Sequence, residues 1–166
     1  MYKKEEKKFN YLLDKLLLLC TDSEKNEYSI SYHNGQILDM IRGNKGLLPV
    51  SIQEKIIKIL PITHSWVILS ALAKKDYRHW SNEIVNLLDL NDPYFSEEVI
   101  RTLFKMGTYQ YAEEIYPFAV LSVDDKMPFS SITYREGLKL NDNSSFQRIN
   151  DEAKKYIKKA EKLNKK

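Results

Sequence analysis

The sequence predicts an all-α protein built as a short stack of antiparallel helical hairpins. Apolar residues recur at spacings of three and four along most of the chain, which is the period of an amphipathic helix. Alternating patterns typical of strands are weak throughout. The middle of the chain matches itself after a shift of 31 residues, and a repeat of that length indicates helical units that stack to bury their shared faces.

Length and composition fit one domain, residues 1–166. The chain has 43% hydrophobic and 30% charged residues, which is enough apolar material for a core and too much for wholesale disorder. We divide it into an N-terminal capping helix (1–31), repeats (32–122) and a degenerate last repeat with a basic C-terminal helix (123–166).

The first helix is predicted from about Lys3 to Cys20, with an apolar face that begins at Phe9. The lone Cys20 lies in a leucine-rich run, so we expect a buried thiol. The N-terminus lacks the pattern of a signal peptide, and no segment is apolar enough to cross a bilayer. We therefore expect a cytoplasmic protein.

Two further helices precede the clearest repeats. Ile37 to Ile41 carry a helical pattern that the turn at 43–46 stops. The next helix is predicted from Ser51, as N-cap with Glu54 three residues later, to Pro61.

The 31-residue shift aligns both helices of one unit with those of the next. The aligned pairs are Ser65 with Ser96, Ile68 with Val99, Leu69 with Ile100, Leu72 with Leu103, Trp80 with Tyr111, Glu83 with Glu114, and Ile84 with Ile115. Pro117 should kink the second helix of the later unit. A further copy is expected after Asp125, and its second helix, from Ser145 to about Leu163, caps the stack.

Residues 92–122 resemble short bacterial HEAT-like repeats. The resemblance lies in the loop Asp92-Pro93, the helix that ends at Met106-Gly107, and the second helix led by Ala112. It extends more loosely over residues 32–140, and Asp76 in the preceding unit and Asn141 in the following one stand in place of Gly107. The resemblance implies a HEAT-like α-solenoid with capping helices at both ends.

The sequence offers no catalytic constellation. Glycine-rich phosphate loops, metalloprotease helices and nucleophile elbows are absent from it. His33 and His64 occupy equivalent positions in successive units, and we expect them side by side without a third metal ligand. The sequence therefore predicts no enzyme, cofactor or metal site.

Charge is distributed unevenly. Both termini are rich in Lys, whereas residues 82–125 hold nine carboxylates opposed only by Arg101 and Lys105. The 31-residue register places Glu83 beside Glu114 and Asn82 beside Glu113, a ladder of like charge that a cationic partner would stabilise.

We expect Tyr109 and Tyr116 to add rigid contact area beside these carboxylates. Trp66 and Trp80 lie on apolar faces, and we expect them in the core. The predicted partner-binding residues are Asn82, Glu83, Asn86, Asp89, Asp92, Tyr109, Glu113, Glu114, Tyr116, Asp124 and Asp125.

In size and character the chain resembles the immunity proteins that bacteria pair with secreted toxins. That resemblance implies a protein that binds a cognate basic, nuclease-type toxin and occludes its active site. The alternatives are a HEAT-type scaffold or adaptor subunit and a nucleic-acid-binding HEAT-like protein. Only the Lys-rich termini favour the nucleic-acid binder, because the middle of the chain is acidic. We expect neither membrane binding nor a small-molecule substrate.

Overall fold

The computed structural model describes residues 3–22, 26–44, 46–121 and 142–165. This part of the chain is helical and contains no strand. Its elements are α1 (Lys3–Thr21), α2 (Glu27–Gly43), α3 (Val50–Thr63), α4 (Trp66–Ala71), a 3-10 helix (Lys75–Trp80), α5 (Ser81–Val85), α6 (Pro93–Met106), α7 (Ala112–Ala119) and α8 (Asp142–Asn164). The all-α fold class predicted from the sequence is confirmed.

Short polar side chains set the starts of three helices. Asn26, Ser65 and Asp92 each accept a hydrogen bond from the backbone N–H three residues later, which satisfies a donor that the first turn leaves unpaired. At the end of α6, Gly107 adopts the left-handed conformation (φ 75°). A glycine reaches that conformation without steric cost, so the sequence ends α6 sharply.

Helix α3 departs from the predicted bounds at both ends. Its N-cap is Pro49, and Ser51 lies inside the first turn, where its hydroxyl donates to the Glu6 carboxylate of α1 (2.8 Å). The predicted capping role of Ser51 is therefore wrong. The helix also continues through Pro61 to Thr63, because a proline interrupts one hydrogen bond of a helix without always ending it.

Alternate helices form a continuous row. Helix α2 packs against α4, α4 against α6, and α6 against α8. In addition, α1 contacts both α2 and α3, α5 contacts α6, and α7 contacts α8. The even-numbered helices α2, α4, α6 and α8 are thus each in contact with the next of the series.

Residues 31 positions apart occupy equivalent places. Ile68, Leu69 and Leu72 of α4 are fully buried, and so are their counterparts Val99, Ile100 and Leu103 of α6. Two such pairs touch directly: the Ser65 hydroxyl donates to Asn34 Oδ1 (2.7 Å), and the ring of His64 stacks on that of Phe95. Helices α5 and α7 begin at Ser81 and Ala112, the same interval apart.

Helix α8 attaches to this row through an apolar stripe and one buried phenol. Ile149, Ala153, Tyr156 and Ala160 are buried on its inner face. The Tyr156 hydroxyl donates to the Thr108 carbonyl, and burial raises the pKa of Tyr156 above the ordinary tyrosine value. No helix in the described ranges is long and apolar enough to cross a membrane.

Candidate functional site

The N-terminal ends of α5 and α7 are joined by a buried tyrosine. Tyr111, the N-cap residue of α7, donates its hydroxyl hydrogen to Asn82 Oδ1 at 2.6 Å, and its oxygen lies 2.8 Å from Ser81 Oγ. Because Ser81 and Asn82 open α5, this contact ties the N-cap residue of α7 to the first turn of α5.

Three carboxylates lie in the sequence just after the residues that join α5 and α7. Glu83 lies in the first turn of α5, and Glu113 and Glu114 lie in the first turn of α7. All three side chains are exposed, and none has a hydrogen-bond or ion-pair partner among the described residues. The partial positive charge at the N-terminus of α7 offsets part of the repulsion between Glu113 and Glu114.

Asn86 and Tyr116 complete what we call the acidic face, defined as Asn82, Glu83, Asn86, Glu113, Glu114 and Tyr116. Asn86 is exposed one turn after Asn82, at the C-cap of α5. The Tyr116 side chain is 57% exposed, one turn after Glu113. The face therefore combines unpaired carboxylates, amides and an accessible aromatic ring.

The other carboxylates of the predicted set face different surroundings. Asp89 and Asp92 lie half-buried in the loop between α5 and α6. Asp92 Oδ1 caps α6, while its Oδ2 lies 2.9 Å from His64 Nδ1. Asp89 Oδ1 accepts two hydrogen bonds from Asn91, and Asp89 Oδ2 has no hydrogen-bond partner among the described residues.

Tyr109 makes internal contacts. It is half-buried, lies edge-on to Phe104 of α6 (5.6 Å) and contacts the Tyr156 ring of α8 at the same distance. Its structural role is therefore to help join α6 to α8. Asp124 and Asp125, which complete the predicted set, lie outside the described residues.

Part of the acidic block is neutralised internally. The Glu97 side chain is 2% exposed and binds Arg101 Nη2 (2.5 Å) and Arg148 Nη2 (3.0 Å). Arg101 also pairs with Glu98 and with Glu152 of α8. Burial alone lowers the pKa of Arg101, but the three carboxylates outweigh it and raise the pKa above its ordinary value. Sequence reasoning missed this network because Arg148 is 51 residues from Glu97.

A groove of about 1010 Å³ lies between α2, the junction of α3 with α4, and the loop before α6. Its lining residues are Cys20, Glu27, Ile30, Ser31, Asn34, Gly35, Leu38, Ile62, Thr63, His64, Trp66, Val67, Asp89, Asn91, Asp92 and Tyr94. This set, which we call the α2 groove, contains three carboxylates and neither Lys nor Arg.

The α2 groove also holds large apolar side chains that are open to solvent. Trp66 and Ile62 are each 53% exposed. The prediction that Trp66 belongs to the core is therefore wrong: Val67, Ile68 and Leu69 fill the buried face of the short helix α4, and Trp66 lies outside it. Trp80, by contrast, is half-buried against the core and donates to Gln53 Oε1 (3.0 Å).

The histidines are engaged separately. His33 Nδ1 lies 2.8 Å from the Ser29 carbonyl of its own helix, whereas His64 pairs with Asp92. Within the described ranges, no three His, Cys, Asp or Glu side chains form a group that could hold a metal ion. Cys20 is half-buried against the core and lines the α2 groove.

Comparison with known proteins gives no match to a family model, to a curated protein or to a solved structure.

Proposed function

We propose that this chain is a non-catalytic protein-binding module of HEAT-like stacked hairpins, and that it acts as a bacterial immunity protein in the cytoplasm. In this function it binds a cognate basic, nuclease-type toxin and occludes the active site.

Contacts between equivalent positions support the stacked architecture. In a solenoid, each unit packs on its neighbour in the same way, so residues one repeat apart lie next to each other. The pairs Asn34 with Ser65 and His64 with Phe95 follow this rule. The row of α2, α4, α6 and α8 is the arrangement that such packing produces.

The observation that supports the binding function is the bond from Tyr111 to Asn82, which joins the N-cap residue of α7, just before Ala112 and the Glu113-Glu114 pair, to the residue before Glu83 of α5. Glu83, Glu113 and Glu114 are exposed and have no cationic partner within the described structure. A surface that leaves like charges together is suited to a partner of opposite charge.

The proposed mechanism is steric and electrostatic. The cleft of a nuclease that binds phosphates is cationic, so the acidic face would occupy the place of the nucleic-acid backbone. Long-range attraction would accelerate the encounter, and Tyr116 would supply contact area that excludes water. This function needs no chemical step by the chain itself.

A growth-rescue assay tests the proposal. The C-terminal domain encoded by the gene immediately upstream is expressed with this protein or with the triple variant Glu83→Lys, Glu113→Lys, Glu114→Lys. We expect the wild-type protein to restore growth and the variant to fail, because the variant presents lysines to a basic partner.

The matched control reverses three exposed carboxylates that lie on other helices, as Asp39→Lys, Glu54→Lys and Glu161→Lys. It changes the net charge by the same amount and should retain rescue. Loss of rescue in both variants would show an effect of net charge or of misfolding. Circular dichroism would distinguish the two, because only a misfolded variant loses its helical spectrum. A neighbouring domain that is harmless, or lethal regardless of the protein, would overturn the immunity function.

A scaffold or adaptor function is the second candidate, and one specific observation favours it. The α2 groove is built from α2, the α3–α4 junction and the loop before α6, whereas the acidic face is built from α5 and α7. A chain with two binding surfaces could bridge two partners. Pull-downs in which each surface is mutated alone would then lose different proteins.

A further inference from the structure

We infer that the α2 groove binds a polypeptide segment in which a cationic side chain is next to an aliphatic one. The inference concerns a surface other than the acidic face. It rests on the proposed function only in that a basic protein partner would supply such a segment.

Charge in the groove selects a cationic occupant. Glu27, Asp89 and Asp92 line it, and none of the described residues that line it is Lys or Arg. Asp89 Oδ2 has no protein partner among the described residues, so it can accept a hydrogen bond from an ammonium or guanidinium group. Asp92 already binds His64, and its carboxylate contributes to the negative potential of the groove without a change of side-chain conformation.

Apolar surface in the groove selects an aliphatic neighbour for that cation. Trp66 and Ile62 are both more than half exposed. Their backbones belong to helices, because Trp66 begins α4 and Ile62 lies at the end of α3. Anchored aromatic and aliphatic groups are typical of the centre of a protein-binding site. The Trp66 ring can also receive a guanidinium over its face.

The size and polar lining of the groove favour a stretch of polypeptide. Its volume of about 1010 Å³ is at the upper end of small-molecule pockets, which span roughly 300–1,000 Å³. Ser31 and Asn34 add polar groups to the wall. A peptide backbone carries the donors and acceptors that these groups require.

Gly35 offers a way to close the groove without disturbing the fold. It lies within α2 and lines the groove, and a Cβ added there would meet no heavy atom within 4 Å. Gly35→Leu therefore places a large side chain on the groove wall and replaces a poor helix former with a good one. Gly43→Leu is the matched control, since Gly43 is also a glycine of α2 with open space around it but does not line the groove.

The test uses a short fluorescein-labelled peptide in which Leu and Arg alternate, titrated with the full chain and followed by fluorescence anisotropy. A second peptide carries neutral citrulline in place of Arg. We expect the Arg peptide to bind the wild-type protein. Gly35→Leu, Trp66→Ala and Asp89→Asn should each weaken binding by about tenfold, which corresponds to roughly 1.4 kcal/mol. Gly43→Leu and Glu54→Gln should bind as the wild type does, because Glu54 is an exposed carboxylate of α3 that lies outside both the α2 groove and the acidic face.

Three results would overturn the inference: no binding by the wild-type protein, equal binding by Gly35→Leu, or equal binding of the citrulline peptide. Equal losses in Glu54→Gln and Asp89→Asn would also overturn it, because they would reveal unspecific attraction by net charge. The growth-rescue assay is independent of these results. Rescue without peptide binding would refute the groove alone, and peptide binding without rescue would refute the immunity function alone.

Discussion

The ring of His64 stacks on the ring of Phe95, with centroids 4.8 Å apart and planes inclined by 8°. The same imidazole binds Asp92, the N-cap residue of α6. One residue at the end of α3 thus contacts both the cap and the first turn of α6, and it does so from the left-handed conformation (φ 43°). A residue with a Cβ is strained in the left-handed region, so the free-energy cost of this backbone conformation can be measured by substitutions at residue 64.

We predict that His64→Ala is less stable than His64→Gly by about 1 kcal/mol. Both variants lose the imidazole and its contacts with Phe95 and Asp92. Only Ala keeps a Cβ in the left-handed region, so the difference reports the backbone alone. Urea unfolding followed by circular dichroism measures it. Equal stabilities would show that residue 64 leaves this conformation once the ring is removed.

Replacing either of two glycines by alanine should change the free energy of unfolding, but in opposite directions. Gly107→Ala should lower the free energy of unfolding by about 1 kcal/mol, because Gly107 has a positive φ. Gly35→Ala should raise it by about 0.5–1 kcal/mol, because Gly35 lies inside a helix. An added Cβ meets no atom within 4 Å at either site, so steric clashes do not contribute. A change of the same sign in both variants would contradict this account.

Glu97→Gln should destabilise the protein by about 3 kcal/mol, because it removes the buried carboxylate that two arginines share. Arg148→Ala should cost only about 1 kcal/mol, since Arg148 is largely exposed. The loss in Glu97→Gln should persist at high salt, which screens buried pairs less than exposed ones. Chemical denaturation at low and high salt checks both values, and similar losses in the two variants would refute a buried network.

Tyr156 should make the protein sensitive to alkali. Its pKa lies above the ordinary value of 10.0 in the folded protein, chiefly because the side chain is buried. Above about pH 10 the unfolded chain therefore loses this proton while the folded chain keeps it, and the free energy of unfolding falls by up to ~1.4 kcal/mol per pH unit. Below that pH the contribution is fully present.

The control for this effect is Tyr156→Phe. It should be less stable than the wild type near neutral pH, because the hydrogen bond to the Thr108 carbonyl is lost. Its stability should fall less steeply between about pH 9.5 and 11, because it lacks the titrating phenol. Thermal unfolding across this range compares the slopes, and parallel curves would contradict the prediction.

The sequence by itself determined the all-α fold class and the buried positions of α4 and α6. Helical periodicity is local, so the buried positions Ile68, Leu72, Val99 and Leu103 could be read from spacing alone. The exposed carboxylates of α5 and α7 followed from the same register.

Only the tertiary structure decided which side chains meet across the hairpins. In the folded chain Trp66 is exposed to solvent, Tyr109 packs against Tyr156 of α8, and Arg148 binds Glu97. It also formed the α2 groove from segments that are far apart in sequence. Such contacts depend on the relative placement of packed helices, which the spacing of apolar residues within one helix does not encode.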